Sequence, residues 1–154
     1  MDIFLAALEG LAPIQALRFS RWGYAAVNTA HVLSLATLFG AILALDLRLL
    51  GLWRTVPVDP LLRVLPRVAA IGLALAALTG LALFATRARG YAELDVFRLK
   101  MLFVVLGTGA ALVTACLGGL RKAAPTPRRV VGAFSLACWT GALVSGRMIA
   151  FAGE

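Results

Sequence analysis

The chain has 154 residues, of which 62% are hydrophobic and 14% charged, with a mean hydropathy of +0.94. Soluble domains carry roughly 45–50% apolar and about 25% charged residues, so this composition excludes an ordinary soluble domain and a disordered chain. The net charge of +8 comes from basic residues at the edges of apolar runs, without interleaved stacking aromatics, which argues against nucleic acid and for lipid phosphates as the partner.

The first 23 residues are expected to form an interfacial amphipathic segment ahead of the membrane domain. Their apolar stretch is interrupted at Pro13, after which basic and apolar residues alternate. Trp22 and Tyr24 are aromatic residues of the kind that anchor a chain at the boundary between membrane and water. The basic region and cleavage site of a secretory signal do not precede them, so the segment is expected to be retained.

Residues 24–154 contain four uncharged apolar runs, at 24–45, 68–86, 101–120 and 130–146. Each is close to the roughly 20 helical residues that cross a bilayer core. The last run continues past Arg147, whose side chain can reach the interface. Short connections, such as the proline-containing stretch 46–67, make consecutive helices antiparallel. The sequence therefore predicts an all-α fold, an up-down-up-down four-helix transmembrane bundle in a lipid bilayer.

Small residues recur four positions apart in every run, as at Gly72, Ala76 and Gly80. Such stripes allow helix backbones to approach closely in lipid. They predict tight packing within the bundle, and they also favour a homo-oligomer or a larger membrane complex.

His31 is the only histidine, and it lies about 10 Å into the first run at about 1.5 Å per residue. Tyr24, Asn28 and Ser34 share its helix face, which is expected to turn into the bundle because lipid cannot hydrogen-bond these groups. The up-down-up-down arrangement brings the start of the third run and the end of the fourth to the same side. The residues predicted to bind a cofactor there are His31, Lys100, Met101, Arg147 and Met148, with His31 as the metal ligand.

Three chemistries are open for His31. A neutral imidazole bonded to a neighbouring helix would only stabilise the bundle. With Met101 or Met148 it offers nitrogen and sulfur ligands that suit copper(I), and it also offers one axial ligand to haem. The sequence contains no Ser-His-Asp arrangement, phosphate loop or HExxH motif, so no catalytic residue is assigned and a non-enzymatic role is favoured.

A second polar group marks the opposite side of the predicted bundle. Asp46 follows the first run, and Arg48 and Arg67 lie within plausible reach of it. Structural ion pairs among these residues at the interface are the expected arrangement, with proton or ion passage as the alternative.

The pattern of these residues resembles a family of small bacterial four-helix integral membrane proteins of uncharacterised function. It comprises His31 and Gly40, the segment 46–51, Thr79-Gly80, Phe97 with Lys100, and Gly146-Arg147, and it covers nearly the whole chain from about residue 24. More distantly it is similar to CopD-type copper-resistance proteins and HemJ-type protoporphyrinogen oxidases, which share a histidine followed by a glycine and a later lysine. The resemblance implies a multi-pass protein of the bacterial inner (cytoplasmic) membrane.

The two distant resemblances imply different ligands. The CopD resemblance implies copper handling through His31 and the methionines, and the HemJ resemblance implies haem or porphyrin chemistry at His31 and Lys100. The functional prediction is a binding or accessory subunit that handles copper, with a haem-binding membrane oxidoreductase using His31 and Lys100 as the alternative. The corresponding cofactors are copper or haem b; a proton-coupled carrier is a third hypothesis.

Overall fold

A computed structural model describes residues 2–116 and 124–152, and within these ranges the chain consists of α-helices joined by short turns, with no strand. The end of the third apolar run, 117–120, lies outside the described residues. The predicted all-α fold is confirmed. The helices are α1 (Asp2–Glu9), α2 (Ala12–Phe19), α3 (Arg21–Leu50), α4 (Val58–Ala85), α5 (Ala88–Glu93), α6 (Asp95–Cys116) and α7 (Pro125–Ala152).

Four of these helices, α3, α4, α6 and α7, are long and apolar enough to cross a membrane. They contain the four apolar runs, as far as the structure describes them, and three of them are longer than a hydrocarbon core requires. At about 1.5 Å per residue, the 30 residues of α3 span roughly 45 Å against a core of about 30 Å. The ends of α3 therefore reach the headgroup region, and the chain is a multi-pass membrane protein.

The connection expected at 46–67 is shorter in the structure, because α3 continues to Leu50 and α4 begins at Val58. Two prolines of the expected connection, Pro60 and Pro66, lie within α4. Pro60 lies in the first turn of α4, where a backbone N–H has no partner within the helix and proline is tolerated. Pro66 lies inside the helix and removes one backbone hydrogen bond there. Pro60 therefore lies at the start of a helix and Pro66 within it, where the sequence predicts a connection.

The long helices pack in the order α4, α3, α7, α6, with α3 in contact with both α4 and α7. The buried core at the centre of this series contains Leu38, Ile42 and Trp139. In the described part of the chain, α4 and α6 lie at the two ends of the series, and the short helix α5 contacts both of them. Consecutive long helices are antiparallel, as the sequence predicts.

The closest approach between helices occurs at Gly72 on α4. A Cβ added there would lie 2.6 Å from the backbone nitrogen of Leu38 and 3.0 Å from the carbonyl oxygen of Ser34. Backbone atoms of α3 and α4 are thus in direct contact, which explains one small-residue stripe. Gly40, a member of another stripe, has no atom within 4 Å of the position that a Cβ would take, so its small size serves no contact among the described residues.

The N-terminal segment forms two short helices that pack at one end of the bundle, α1 against α5 and α2 against α3. The Glu9 carboxylate accepts a hydrogen bond of 2.9 Å from the backbone N–H of Arg89, and Gln15 donates to the Glu9 carbonyl. Ser20 caps α3 by accepting from the N–H of Gly23 at 3.0 Å. The segment is helical as expected, and its position at the membrane interface remains a prediction.

Candidate functional site

A cavity of about 860 Å³ lies between the long helices, at the end of the bundle where α5 and the N-terminal helices pack. It is lined by the N-terminal parts of α3 and α6 and the C-terminal parts of α4 and α7. These four segments share one end because neighbouring helices are antiparallel. The cavity is therefore a direct product of the topology that the apolar runs predict.

Three of the five predicted cofactor-binding residues line this cavity, namely His31, Lys100 and Arg147. Met101 and Met148 follow two of them in sequence but are absent from the lining, and they are 42% and 49% exposed. One step along an α-helix rotates a side chain by about 100°, and at these two positions the rotation leaves the methionine outside the lining. The structure thus separates His31 from both methionines.

The imidazole of His31 is oriented by Thr79 on the adjacent helix α4. Its Nδ1 lies 2.9 Å from the Thr79 hydroxyl, which in turn lies 2.7 Å from the carbonyl oxygen of Leu75. A hydroxyl has one proton to donate, and when that proton is used on the carbonyl, the Nδ1–H tautomer of His31 is the one that satisfies both groups. In this tautomer Nε2 carries the lone pair and is the nitrogen available to a ligand.

Gly80 allows the His31 ring to take this position. A Cβ at Gly80 would lie 3.0 Å from Cε1 and 3.9 Å from Nε2 of the imidazole. A larger residue would displace the ring from Thr79. Ring nitrogens that bind metals are commonly supported in this way, through a hydrogen bond from the other nitrogen that fixes tautomer and direction.

Lys100 extends along α7 towards the same space. Its aliphatic stem packs over Gly146, with Cε 3.5 Å and Nζ 3.7 Å from the position of an added Cβ. Lys100 and His31 line the same cavity. Arg87 and Arg147 also line the cavity, and its described lining contains no Asp or Glu. The cavity therefore presents three cations without a carboxylate in this lining to balance them.

The two ends of the cavity differ in polarity. At the mouth, Tyr91 on α5 stacks with Phe84 and Phe97 at ring-centroid distances of 6.4 and 6.2 Å. Burial raises the pKa of Tyr91, with a further increase from Tyr24 and a smaller opposing effect of Arg87, so its hydroxyl stays protonated. The inner lining beyond His31 and Lys100 is apolar and consists of Leu35, Leu38, Phe39, Val104 and Trp139.

The ion pairs predicted for Asp46 do not form with Arg48 or Arg67 in the described structure. Arg48 instead donates to the carbonyl oxygens of Val56 and Arg54, at 2.7 and 3.3 Å. Two steps along α3 separate Asp46 and Arg48 by about 200°, which sends their side chains to different faces. Arg67 is exposed on α4.

Asp46 is instead buried against α7, with 3% of its surface exposed. Gly132 lets the helices approach there, since an added Cβ would lie 3.2 Å from the Asp46 carbonyl oxygen. Ser135 lies beside the carboxyl group, and Oδ2 has no hydrogen-bond partner among the described residues. Asp46 thus belongs to the contact between α3 and α7 and is distant from the cavity along α3.

The chain supplies few ligands for a bare metal ion. Among the described residues, no group of three or more His, Cys, Asp or Glu side chains is placed to hold one. In the described lining of the cavity, His31 is therefore the one side chain that is well suited to bind a metal. Comparison with known proteins adds no assignment, because no protein-family model, curated protein or solved structure matches the chain.

Proposed function

We propose that the protein is a membrane-embedded binding protein for haem or a closely related iron porphyrin, with His31 Nε2 as the axial ligand. The observation that supports the proposal is one cavity combining an available imidazole nitrogen, three unbalanced cations and an apolar inner lining. This role develops the haem alternative of the sequence analysis as a binding function. An oxidoreductase activity would need evidence of turnover.

The residues that line the cavity are suited to hold haem. A porphyrin supplies four of the iron's ligands, so one histidine from the protein is sufficient. The carboxylates at one edge of the macrocycle match the cations Arg87, Lys100 and Arg147. The apolar remainder matches the inner lining, and the volume of about 860 Å³ falls within the roughly 300–1,000 Å³ typical of ligand pockets. When bound, haem would supply one-electron chemistry at its iron.

The cationic lining of the cavity and the positions of the methionines give less support to a copper-binding function. A copper ion would enter a cavity with three cationic side chains and no carboxylate in its described lining. The soft sulfur ligands that select copper(I) are turned away from His31. Copper handling therefore stands as an outcome of the test below rather than as the favoured proposal.

The first test is a titration of the purified protein with haemin in mild detergent, followed by visible spectroscopy and elemental analysis. We expect a saturable Soret band at one haem per chain. A protein that binds copper stoichiometrically and no haemin would support metal handling and contradict the proposal. A protein that binds neither would favour a structural or accessory subunit and would also contradict it.

Lys100→Met is expected to weaken haemin binding roughly 10- to 100-fold, because hydrogen bonds to charged groups contribute about 1.5–3 kcal/mol. The axial ligand is unchanged, so the Soret band should keep its position at saturation. Arg98→Gln is the matched control, since Arg98 is on the same helix but pairs with Asp95 at 3.2 Å and does not line the cavity. Equal losses in both variants would show that general charge, and not Lys100, attracts the ligand.

Met101→Leu and Met148→Leu are expected to leave the spectrum and affinity of bound haemin unchanged. Both side chains lie outside the cavity lining, and leucine has nearly the same volume as methionine. The measurement is the visible spectrum of each reduced variant. A shift on losing one methionine would identify it as a second axial ligand and would contradict the arrangement described here.

The cellular setting belongs to the same proposal. Location in a bacterial inner membrane is supported by the sequence resemblance, and association into a homo-oligomer or larger complex is supported by the small-residue stripes. Membrane fractionation and crosslinking in native membranes test the two statements separately.

A further inference from the structure

A second, smaller hollow of about 300 Å³ lies at the opposite end of the bundle from the haem-sized cavity. It is formed where α3 ends, α4 begins and α7 begins. Its lining includes Arg48, Arg54, Arg128 and Arg129, and among the described residues that line it there is no Asp or Glu. Nothing in the proposed haem-binding role uses these residues.

The turn between α3 and α4 places Arg48 and Arg54 beside the hollow. Gly51 ends α3 with a φ of 112°, a left-handed conformation that glycine adopts without strain. Its N–H and that of Leu52 donate to the carbonyls of Arg48 and Leu47. Arg48 then fixes the rest of the turn through its bonds to Val56 and Arg54 carbonyls.

Two guanidinium groups meet above Gly51. Nη2 of Arg129 lies 3.8 Å, and Nε and Nη2 of Arg54 lie 4.0 Å, from the position of a Cβ on this glycine. The two groups are therefore within about 8 Å of each other, the distance over which physiological salt screens charge. Like charges held this close, with no carboxylate in the described lining, indicate a site for an anion. Arginine is the side chain best matched to the oxygens of a phosphate.

The residues around the hollow indicate which kind of molecule would supply the phosphate. Leu52, Trp53 and Val56 are 45%, 55% and 40% exposed in the same turn. The turn joins the ends of two helices that can cross the membrane, which places it at the level of lipid headgroups. Tryptophan and aliphatic side chains beside arginine are typical of this zone.

We propose that Arg54, in the Gly51 turn, and Arg129, near the start of α7, bind the phosphate of an anionic membrane phospholipid with their exposed guanidinium groups. Arg48 supports the site by fixing the turn through two of its N–H groups, which donate to backbone carbonyls. The exposed apolar residues of the turn contact the acyl chains next to the bound headgroup. This inference is independent of the haem-binding proposal.

The test uses the full chain in phosphatidylcholine nanodiscs, to which phosphatidylglycerol is added, with native mass spectrometry of retained lipid as the readout. We expect Arg54→Gln with Arg129→Gln to weaken phosphatidylglycerol retention roughly 30-fold, from the usual contribution of two basic residues near a headgroup. Arg63→Gln with Arg67→Gln is the matched control. It removes the same charge from exposed positions on α4 that do not line the hollow.

Each result has a distinct meaning. Loss of phosphatidylglycerol retention in Arg54→Gln with Arg129→Gln, but not in the control, supports the proposal. Arg54→Lys with Arg129→Lys should then retain part of the lipid, because lysine keeps the charge but not the paired N–H donors of arginine. Equal loss in both double variants would show general surface attraction and overturn it. Binding of inorganic phosphate in lipid-free detergent, without selective retention of phosphatidylglycerol, would identify a soluble anion and overturn the lipid assignment. A far-ultraviolet circular dichroism spectrum and a gel-filtration profile equal to those of the native chain confirm that each variant remains folded.

Discussion

His31→Ala is expected to eliminate the Soret band that haemin produces with the native chain, because no other histidine exists in the sequence. The loss should exceed the 10- to 100-fold effects typical of supporting residues around a metal ligand. Added imidazole has room in the cavity left by the ring and should restore part of the band. A His31→Ala variant with an unchanged spectrum would exclude His31 as the ligand.

The orientation of His31 allows a finer test. Thr79→Val removes the acceptor for the Nδ1–H while keeping the volume of the side chain, so affinity for haemin should fall roughly 10- to 100-fold. Thr37→Val is its matched control, since Thr37 also donates to its own helix, at 2.9 Å to Leu33, but is exposed away from the cavity. Equal effects of the two valines would contradict a role for Thr79 in positioning the ring.

Gly72→Ala is expected to destabilise the bundle more than an alanine at any other glycine that the structure describes. The new Cβ would fall 2.6 Å from the Leu38 nitrogen and 2.9 Å from its Cα, and backbone atoms cannot move aside as a flexible side chain can. Helices α3 and α4 must therefore separate, at a cost of about 1–3 kcal/mol or more for overpacking of this kind. The measurement is the free energy of unfolding in bicelles as a denaturing detergent is added.

Gly40→Ala provides the control for this substitution. No atom lies within 4 Å of its added Cβ, and alanine is favoured over glycine in a helix by about 1 kcal/mol. Its free energy of unfolding should be equal to or above that of the native chain. If Gly40→Ala and Gly72→Ala have the same effect, the close approach of α3 and α4 is not a determinant of stability.

The sequence predicts the helices and the side of the bundle that holds the cavity, because both follow from the cost of polar groups in lipid. For that reason it places His31, Lys100 and Arg147 together, and all three line the cavity. It also places Met101 and Met148 with them, whereas the structure leaves both methionines outside the lining, because the rotation of each helix depends on which small residues make the contacts. Gly141, where an added Cβ would lie 2.8 Å from the Phe103 ring, is one such contact between α6 and α7.

Residues that act through a neighbour are harder to predict. In the sequence, Thr79 and Gly146 are singled out only by the family resemblance, since neither is ionisable. Each matters through its contact with one other side chain, Thr79 with His31 and Gly146 with Lys100. Arg87 follows the second apolar run and is not predicted as a cavity residue, although the antiparallel order already places it at the correct end. For Asp46 the proximity of arginines in sequence is misleading, because helix geometry separates them.

The order in which the long helices pack leaves the bundle as an open arc rather than a closed ring. The described backbones of α4 and α6 lie at the two ends of this arc, and the Phe84 ring on α4 closes the gap by stacking on the Phe97 ring of α6 at a centroid distance of 5.2 Å. A ligand that enters the cavity from the bilayer between α4 and α6 must therefore separate these two rings. Its rate of arrival should follow its concentration in the lipid, so a more hydrophobic ligand reaches the site faster at the same total amount.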